Sequence, residues 1–422
     1  MIRRARGTSD RLPEASLSWD LVVETFTREC ELRGFKPITT PTIEHTDLFS
    51  RTTGKLTDIV QKEMYTFDGR GGDSLTLRPE GTAPVVRAYI QNGMRNLPQP
   101  VKLYYVCSIF RYDRPQAGRY REHHQIGAEA LGDESAAVDA EIIDLLWSTY
   151  RALGLTDLQL NINSLGDPET RPAYRKALLD YFKPHEADLD PESRQRLEIN
   201  PFRVLDSKNP AVVALFEDAP RSTDFLSPSA QLHFEDLQSF LATINIPFTV
   251  NNQLVRGLDY YNRTVFEFIP PDVGAQSTVG GGGRYDYLSE LIGGDHTPGV
   301  GFGSGIERVL LNMERTGHRS AKPRSTAIYI APLIQSALSD ALHLASELRE
   351  LGISAEFGFK PSSPRAQLRR ANAISADLAV LIGENEMKQH VVSVKPLDGA
   401  EQIEIARSVA ARQLRDLIEP SP

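Results

Sequence analysis

The residues with the greatest chemical potential lie in LVRGLDYYNRTVFEF, 254–268, where an arginine, an aspartate and two adjacent tyrosines precede strand-like alternation at 264–268. Arg256 supplies a permanent cation, and Tyr260 and Tyr261 supply phenolic hydroxyls, next to a glycine that relaxes the backbone. Such a group suits a small ligand that is both anionic and polar-aromatic; the competing reading is a solvated hairpin end. GGGGRYDYL, 280–288, follows closely and adds Tyr285. The chain contains no GxxxxGK[ST] loop, and no GxGxxG follows a strand and opens a helix. A nucleotide must then be gripped by arginine, whose planar fork holds phosphate at two points. The candidates are Arg111 in IFRYD, Arg119 in the polar loop that follows, and Arg308 in GVGFGSGIER, 299–308. A lone arginine is usually a solvated charge. Arg111, however, lies between apolar Ile109–Phe110 and the loop. The alternating glycines before Arg308 read as a strand approached closely by another backbone, with room for a bulky ligand.

The elements that must position these residues are legible from periodicity. An amphipathic helix is expected over 16–33, ended by Gly34, then an extended, proline-interrupted segment over 35–43. Extended stretches at 74–78 and 101–112 bracket a helical run at 83–92, and 101–132 reads as a long hairpin with a cationic tip. Another helix covers 138–153. From 164 to 247, charged, proline-punctuated helical segments suggest an inserted helical subdomain. Antiparallel structure returns over 254–305 and a helix begins near 306. The aperiodic stretch 315–326 reads as a linker. Beyond it, strands at 327–333, 354–359, 378–382 and 391–394 alternate with helices at 336–351, 364–375 and the end of the chain, the pattern of a separate α/β domain. We therefore expect an α+β chain with a catalytic domain over 1–325 and a second domain over 326–422.

Length supports this division, because 422 residues exceed one ordinary core. Hydrophobic content of 40% with 24% charged residues is that of a soluble globular protein. Cys30 and Cys107 are the only cysteines, which argues against a disulfide framework and for a cytoplasmic location. The basic N-terminus lacks the apolar core of a signal peptide, and no membrane span is expected. A net charge of −9 lowers the prior for nucleic-acid binding without excluding it, since basic residues cluster at 111–121 and 365–370. His123 and His124 adjoin, but neighbours on a strand point to opposite faces, so no shared metal site is expected.

Several segments in order resemble histidyl-tRNA synthetases. FKPITTPTIEHTDLF (35–49), FRYDRPQAGRYREHHQIGAEALG (110–132) and GVGFGSGIERVLL (299–311) resemble motifs 1, 2 and 3 of class II aminoacyl-tRNA synthetases. TLRPEGT (76–82) is similar to the family's amino-acid-binding loop, and 254–268 and 280–288 resemble its two histidine signatures. The terminal domain, including ADLAVLIGENE (376–386), resembles the anticodon-binding domain more loosely. The resemblance implies a class II antiparallel sheet core flanked by helices, a homodimer built on motif 1, and no membrane. It implies ATP-dependent activation of L-histidine to histidyl-adenylate and transfer to the 3′ end of tRNA(His), with Mg²⁺ held mainly through ATP.

By the same resemblance, Glu80 and Thr82 hold the substrate's α-amino group, and Gly81 between them belongs to the histidine-binding set. Gln125, Glu129, Tyr260, Tyr261 and Tyr285 shape the histidine pocket, with Glu129 facing the imidazole. Arg111 bridges the histidine carboxylate and the α-phosphate, Arg256 stabilises charge developing there, and Arg308 takes the γ-phosphate. Asp113 and His123 contact adenine, at positions where the family usually carries glutamate and often phenylalanine. Arg119 also belongs to the ATP set, and Gln116 to Arg119 meet the acceptor end of the tRNA. Arg365, Arg369 and Arg370 lie near one helical face and could meet the anticodon stem or be solvated. Two other readings compete. A non-catalytic, synthetase-like regulatory subunit of histidine biosynthesis would tend to lack ATP-site arginines and the terminal domain. An RNA-binding module without catalysis fits the acidic charge and polar pocket poorly.

Overall fold

The computed structural model describes residues 2–54, 57, 59–113, 120–207, 209–271, 278–318 and 326–418. They divide into two compact units, Met1–Ala321 and Lys322–Pro422. The first is organised by an eight-stranded sheet whose order is Lys36–Pro37, Val101–Phe110, Glu122–Leu131, Gly299–Gly305, Gly280–Arg284, Asn262–Ile269, Gln159–Ser164 and Thr249–Val250. The outermost pair at each edge is parallel; all inner pairs are antiparallel.

Period-two alternation separates the two faces of this sheet. Ile126, Ala128 and Ala130 of one hairpin strand join a large apolar cluster with Trp19 and Phe26 of helix Pro13–Leu32, Ile142 and Leu146 of Ala136–Ala152, and Val309 of Ile306–Arg315. Phe26 and Leu146 are wholly buried, and each such side chain contributes roughly 1.5–3 kcal/mol by leaving water. The opposite face carries Tyr105, Cys107 and Ile109 with Tyr260, Tyr261 and Tyr285, and it is covered by helix Thr82–Gln91 through Val85 and Tyr89. Three helices therefore cover one face, while the other presents phenols and carboxyls. A three-stranded sheet, ordered Ile43–His45, Ser74–Leu77, Tyr65–Asp68, adjoins it.

The stretch 164–247, expected to be one inserted helical subdomain, divides in two. Tyr174, Leu178, Phe182, Leu197, Val204 and Phe216 form a small core of their own. Helix Pro228–Thr243 instead packs its Phe234, Leu237 and Leu241 into the main core. An apolar stripe at helical spacing reads alike whichever core receives it.

The second unit holds a five-stranded sheet ordered Ala355–Phe357, Ile328–Pro332, Leu378–Ile382, Val391–Pro396, Ile403–Ala406. Its first three strands are parallel and its last two antiparallel. Helices Leu338–Glu350, Pro364–Ala373 and Ala410–Ile418 accompany it. The edge strand Ile403–Ala406 has no counterpart in the sequence reading, because four residues give too short an alternation. Among the described residues no helix is long and apolar enough to cross a membrane. Cys30 and Cys107 are both free and buried.

Candidate active site

Glu129, wholly buried on strand Glu122–Leu131, is the centre of a knot of hydroxyls. It accepts hydrogen bonds from Thr82 Oγ1 (2.8 Å), Tyr105 OH (3.0 Å) and Tyr285 OH (2.5 Å). Burial pushes the Glu129 carboxyl up to about 8; the three hydroxyls oppose the shift and nearby Glu80 adds to it. The knot therefore holds a proton at neutral pH. Glu80 is also buried and its pKa is raised by burial, although it accepts from the amides of Thr82 (2.6 Å) and Ala83 (2.9 Å) and so caps helix Thr82–Gln91. Gly81 leaves space that the Tyr105 ring fills: a Cβ there would sit 2.6 Å from it.

The alternating glycines of strand Gly299–Gly305 admit both backbone and side chains, as the sequence suggests, and Gly303 and Gly305 also line the cavity described below. A Cβ at Gly299 would meet the Tyr285 ring, at Gly301 the Glu129 carboxylate, and at Gly303 the Gln125 amide at 3.2 Å. Three pocket side chains thus lie flat on one strand. Close backbone approach occurs at Gly301, where a Cβ would also sit 2.6 Å from the Ala128 carbonyl, and in Gly280–Arg284, where a Cβ at Gly282 would overlap the Gly301 carbonyl. Tyr260 stacks at an angle on Tyr261, 4.6 Å between centroids, and meets Tyr285 edge-on at 5.8 Å.

Beside this knot opens a cavity of about 1260 Å³. Gln125, Tyr261, Arg111, Arg256, Arg308, Asp113 and His123 all reach its wall, whereas Glu80, Thr82, Glu129, Tyr260 and Tyr285 are closed off behind it. Each of the three arginines is oriented by a second group. Arg111 Nε donates to the Pro79 carbonyl (2.8 Å), and Arg308 Nη1 donates to the Thr278 carbonyl (2.6 Å). Arg256 Nη1 stands 3.7 Å from the Glu267 carboxylate, which itself accepts from Thr278 Oγ1 at 2.9 Å. Burial, together with Arg111 and Arg308, pushes the His123 imidazolium down to about 3, so the ring is neutral and flat at physiological pH. His124 points the other way and bonds Glu307 (2.9 Å), against the edge of Trp19. Among the described residues no three His, Cys, Asp or Glu side chains gather at metal-binding spacing. Gln116 and Arg119 lie outside the described residues.

The small helical core is tied to the 256–261 loop. Arg203 and Asn200 bond the Asp259 carboxylate, at 3.3 and 3.2 Å, and Arg203 also donates to the Gly257 carbonyl (3.0 Å). Arg171 donates to the Tyr261 carbonyl. Several of these partners were not legible beforehand: Tyr105, Glu267, Arg171 and Arg203. Glu267 lay within the 254–268 stretch already singled out, whereas nothing in VKLYYVCSIF distinguishes Tyr105 from Tyr104.

A family model described as histidyl-tRNA synthetase matches residues 7–167 and 185–309, and one described as anticodon binding domain matches 327–417. Histidine–tRNA ligase of Dehalococcoides mccartyi (strain CBDB1) is 48% identical over 405 residues, 96% of this chain and 97% of its own. That of Pelotomaculum thermopropionicum is 46% identical over 98% of each chain. The solved structure of apo S. aureus histidyl-tRNA synthetase is 35% identical, with a TM-score of 0.84 over 98% of this chain and 100% of that one. A structure described as an ATP phosphoribosyltransferase regulatory subunit/histidyl-tRNA synthetase from Bacillus halodurans C shares the fold, at 21% identity and a TM-score of 0.64. With arginines and a hydroxyl-bound glutamate set on a class II sheet, and with matches of this extent, the chain belongs to the histidyl-tRNA synthetase family.

Proposed function

We propose that the protein is a histidine–tRNA ligase, which activates L-histidine with ATP and transfers it to the 3′ end of tRNA(His). The observation that carries this reading is the convergence of Arg111, Arg256 and Arg308 on one cavity beside the Glu129 knot. Histidine enters past Gln125 and Tyr261, and its imidazole N–H exchanges for one of the hydroxyls on Glu129. Because histidine offers one donor and one acceptor at fixed separation, buried partners reject analogues that leave them unpaired. Glu80 and Thr82, at the start of their helix, receive the α-amino group with Gly81.

Arg111 holds the substrate carboxylate against the α-phosphate. A carboxylate oxygen attacks the α-phosphorus in line, the bond to the β-phosphate oxygen breaks, and pyrophosphate leaves. Arg256 faces the charge that gathers on the α-phosphate, and Arg308 takes the γ-phosphate. Asp113 and His123 receive adenine, and Arg119 joins the phosphate contacts. A terminal ribose hydroxyl of the tRNA then attacks the activated carbonyl and releases AMP, with Gln116 and Arg119 at the acceptor end. Neither step requires a protein nucleophile; positioning and electrostatics suffice. Arg111, Arg256 and Arg308 suit a polyphosphate that carries its own Mg²⁺, which would neutralise charge on the leaving pyrophosphate. We place the enzyme in the cytoplasm as a homodimer that uses the 35–49 segment, with no membrane association.

Histidine-dependent exchange of pyrophosphate into ATP tests this reading, since neither a regulatory subunit nor a simple RNA-binding module would support it. We assign the second unit to tRNA. Removing residues 326–422 is therefore expected to reduce aminoacylation by far more than adenylate formation. A folded truncation that charges tRNA(His) at the full-length rate would overturn that assignment.

A further inference from the structure

The interior of the first unit contains one fully buried arginine whose partners are unusual for a structural ion pair. Arg284 Nε and Nη2 bond the Asp139 carboxylate of helix Ala136–Ala152, the former at 3.0 Å. Its Nη1 reaches Asp286 Oδ1 at 3.0 Å and the Asp133 carbonyl at 2.9 Å, while Nη2 also donates to the Ser135 carbonyl. Arg284 and Asp139 are wholly buried, and His233 Nε2 lies 3.4 Å from Asp139. The ends of three pocket strands meet at Asp286. Its Oδ1 accepts from the Gly299 amide (3.1 Å) and its Oδ2 from Asn262 Nδ2 (2.7 Å), while the Asp286 amide donates to Asn262 Oδ1 (2.8 Å).

The backbone ladder fails at this point. Gly283 pairs with Val265, but Arg284 pairs with Asn262, so Thr264 and Arg263 are skipped. Arg263 takes a left-handed φ of 46°, and its own N–H and carbonyl turn away to Gly166 and Leu165. The side-chain pair Asn262–Asp286 therefore reinforces the last main-chain pair, Asn262–Arg284, just past the skipped residues. On one side of that joint stand Tyr260 and Tyr261; on the other stands Tyr285, whose hydroxyl bonds Glu129.

We propose that Asp286, held by Arg284 and Asp139 and locked to Asn262, is a positioning residue that sets the three pocket tyrosines against Glu129 for histidine. The proposal rests on the histidine-pocket reading above. An ion pair serving stability alone would alter the binding of both substrates in parallel. A joint confined to the histidine side alters one of them, because the arginines that orient ATP are held by Pro79, Thr278 and Glu267 instead.

Pyrophosphate exchange with the full-length protein tests it. Asp286→Asn sets two amide nitrogens face to face at Asn262, so the histidine KM is expected to rise tenfold or more while the ATP KM stays within twofold. The reciprocal pair Asn262→Asp with Asp286→Asn restores a donor opposite an acceptor and is expected to return the histidine KM to within threefold of the unaltered protein. A histidine KM that moves less than threefold in Asp286→Asn, a parallel rise for ATP, or no recovery in the double variant would overturn the proposal. Should Asp286→Asn not fold, Asn262→Ala leaves the Arg284 pairs in place, and the same KM split is required of it. Absence of exchange in the unaltered protein would instead overturn the functional reading, and this inference with it.

Discussion

Arg256→His is expected to lower kcat for histidyl-adenylate formation by about two orders of magnitude or more, on the scale of losing an oxyanion-hole donor. Arg256 reaches the cavity wall and is backed by Glu267, so the guanidinium is aimed before substrate arrives. A Cβ at Gly281 would come within 2.9 Å of its Nη1, so the cation lies directly over the glycine strand. As the phosphorus becomes pentacoordinate, negative charge accumulates, and a fixed cation stabilises that state more than the ground state. Imidazole is shorter and largely neutral at pH 7.5, and it leaves Glu267 without its cation. The KM values for histidine and ATP are expected to move much less than kcat. Near-normal kcat with raised KM, measured in pyrophosphate exchange, would make Arg256 a ground-state binding residue.

Glu129→Gln separates binding from stability. In the proposed pocket histidine brings an imidazole N–H to this carboxyl, and the proton already held there allows a charge-assisted pair, a class of bond worth roughly 1.5–3 kcal/mol. An amide cannot become charged, so the histidine KM is expected to rise tenfold or more with little change for ATP; a rise below about threefold would remove the assignment. The unliganded protein should respond oppositely. The native carboxyl ionises near pH 8, whereas in the unfolded chain it ionises near pH 4.5. Its contribution to stability is full below pH 4.5 and is lost as pH rises toward 8. The glutamine variant does not ionise, so its melting temperature should gain on that of the unaltered protein across this interval. Melting curves from pH 5 to pH 8.5 check the sign.

The long hairpin of the first unit was legible because two extended stretches flank a polar loop. Val101–Phe110 and Glu122–Leu131 send Tyr104 and Ile126 to one face and Tyr105 and Glu129 to the other. That helix Pro228–Thr243 packs into the main core, apart from the other helical segments of 164–247, was not legible, because its stripe specifies a buried face without naming the neighbour. The candidate site was legible as residue types but not as a network. Arg284 and Asp139 are 145 positions apart, and Tyr105 and Glu129 are 24 apart. A single sequence gives no signal that joins such pairs. The alternating glycines of 299–305 do mark close approach, but the sequence does not show that Tyr285, Glu129 and Gln125 are among the groups that come close.

The two glycine strands also govern how the pocket can be altered by descent or by design. A side chain at Gly282 would strike the backbone of Gly301 and Phe302, which has no rotamer by which to yield. One at Gly301 would strike Glu129 itself. Under the proposed function, paths toward a different amino-acid substrate are thereby confined to the side-chain wall around Glu129, at Thr82, Gln125, Glu129 and Tyr285. A variant library directed at that wall samples new specificities on an intact sheet. Randomising 280–283 or 299–303 consumes most of its members in chains that cannot close the sheet at all.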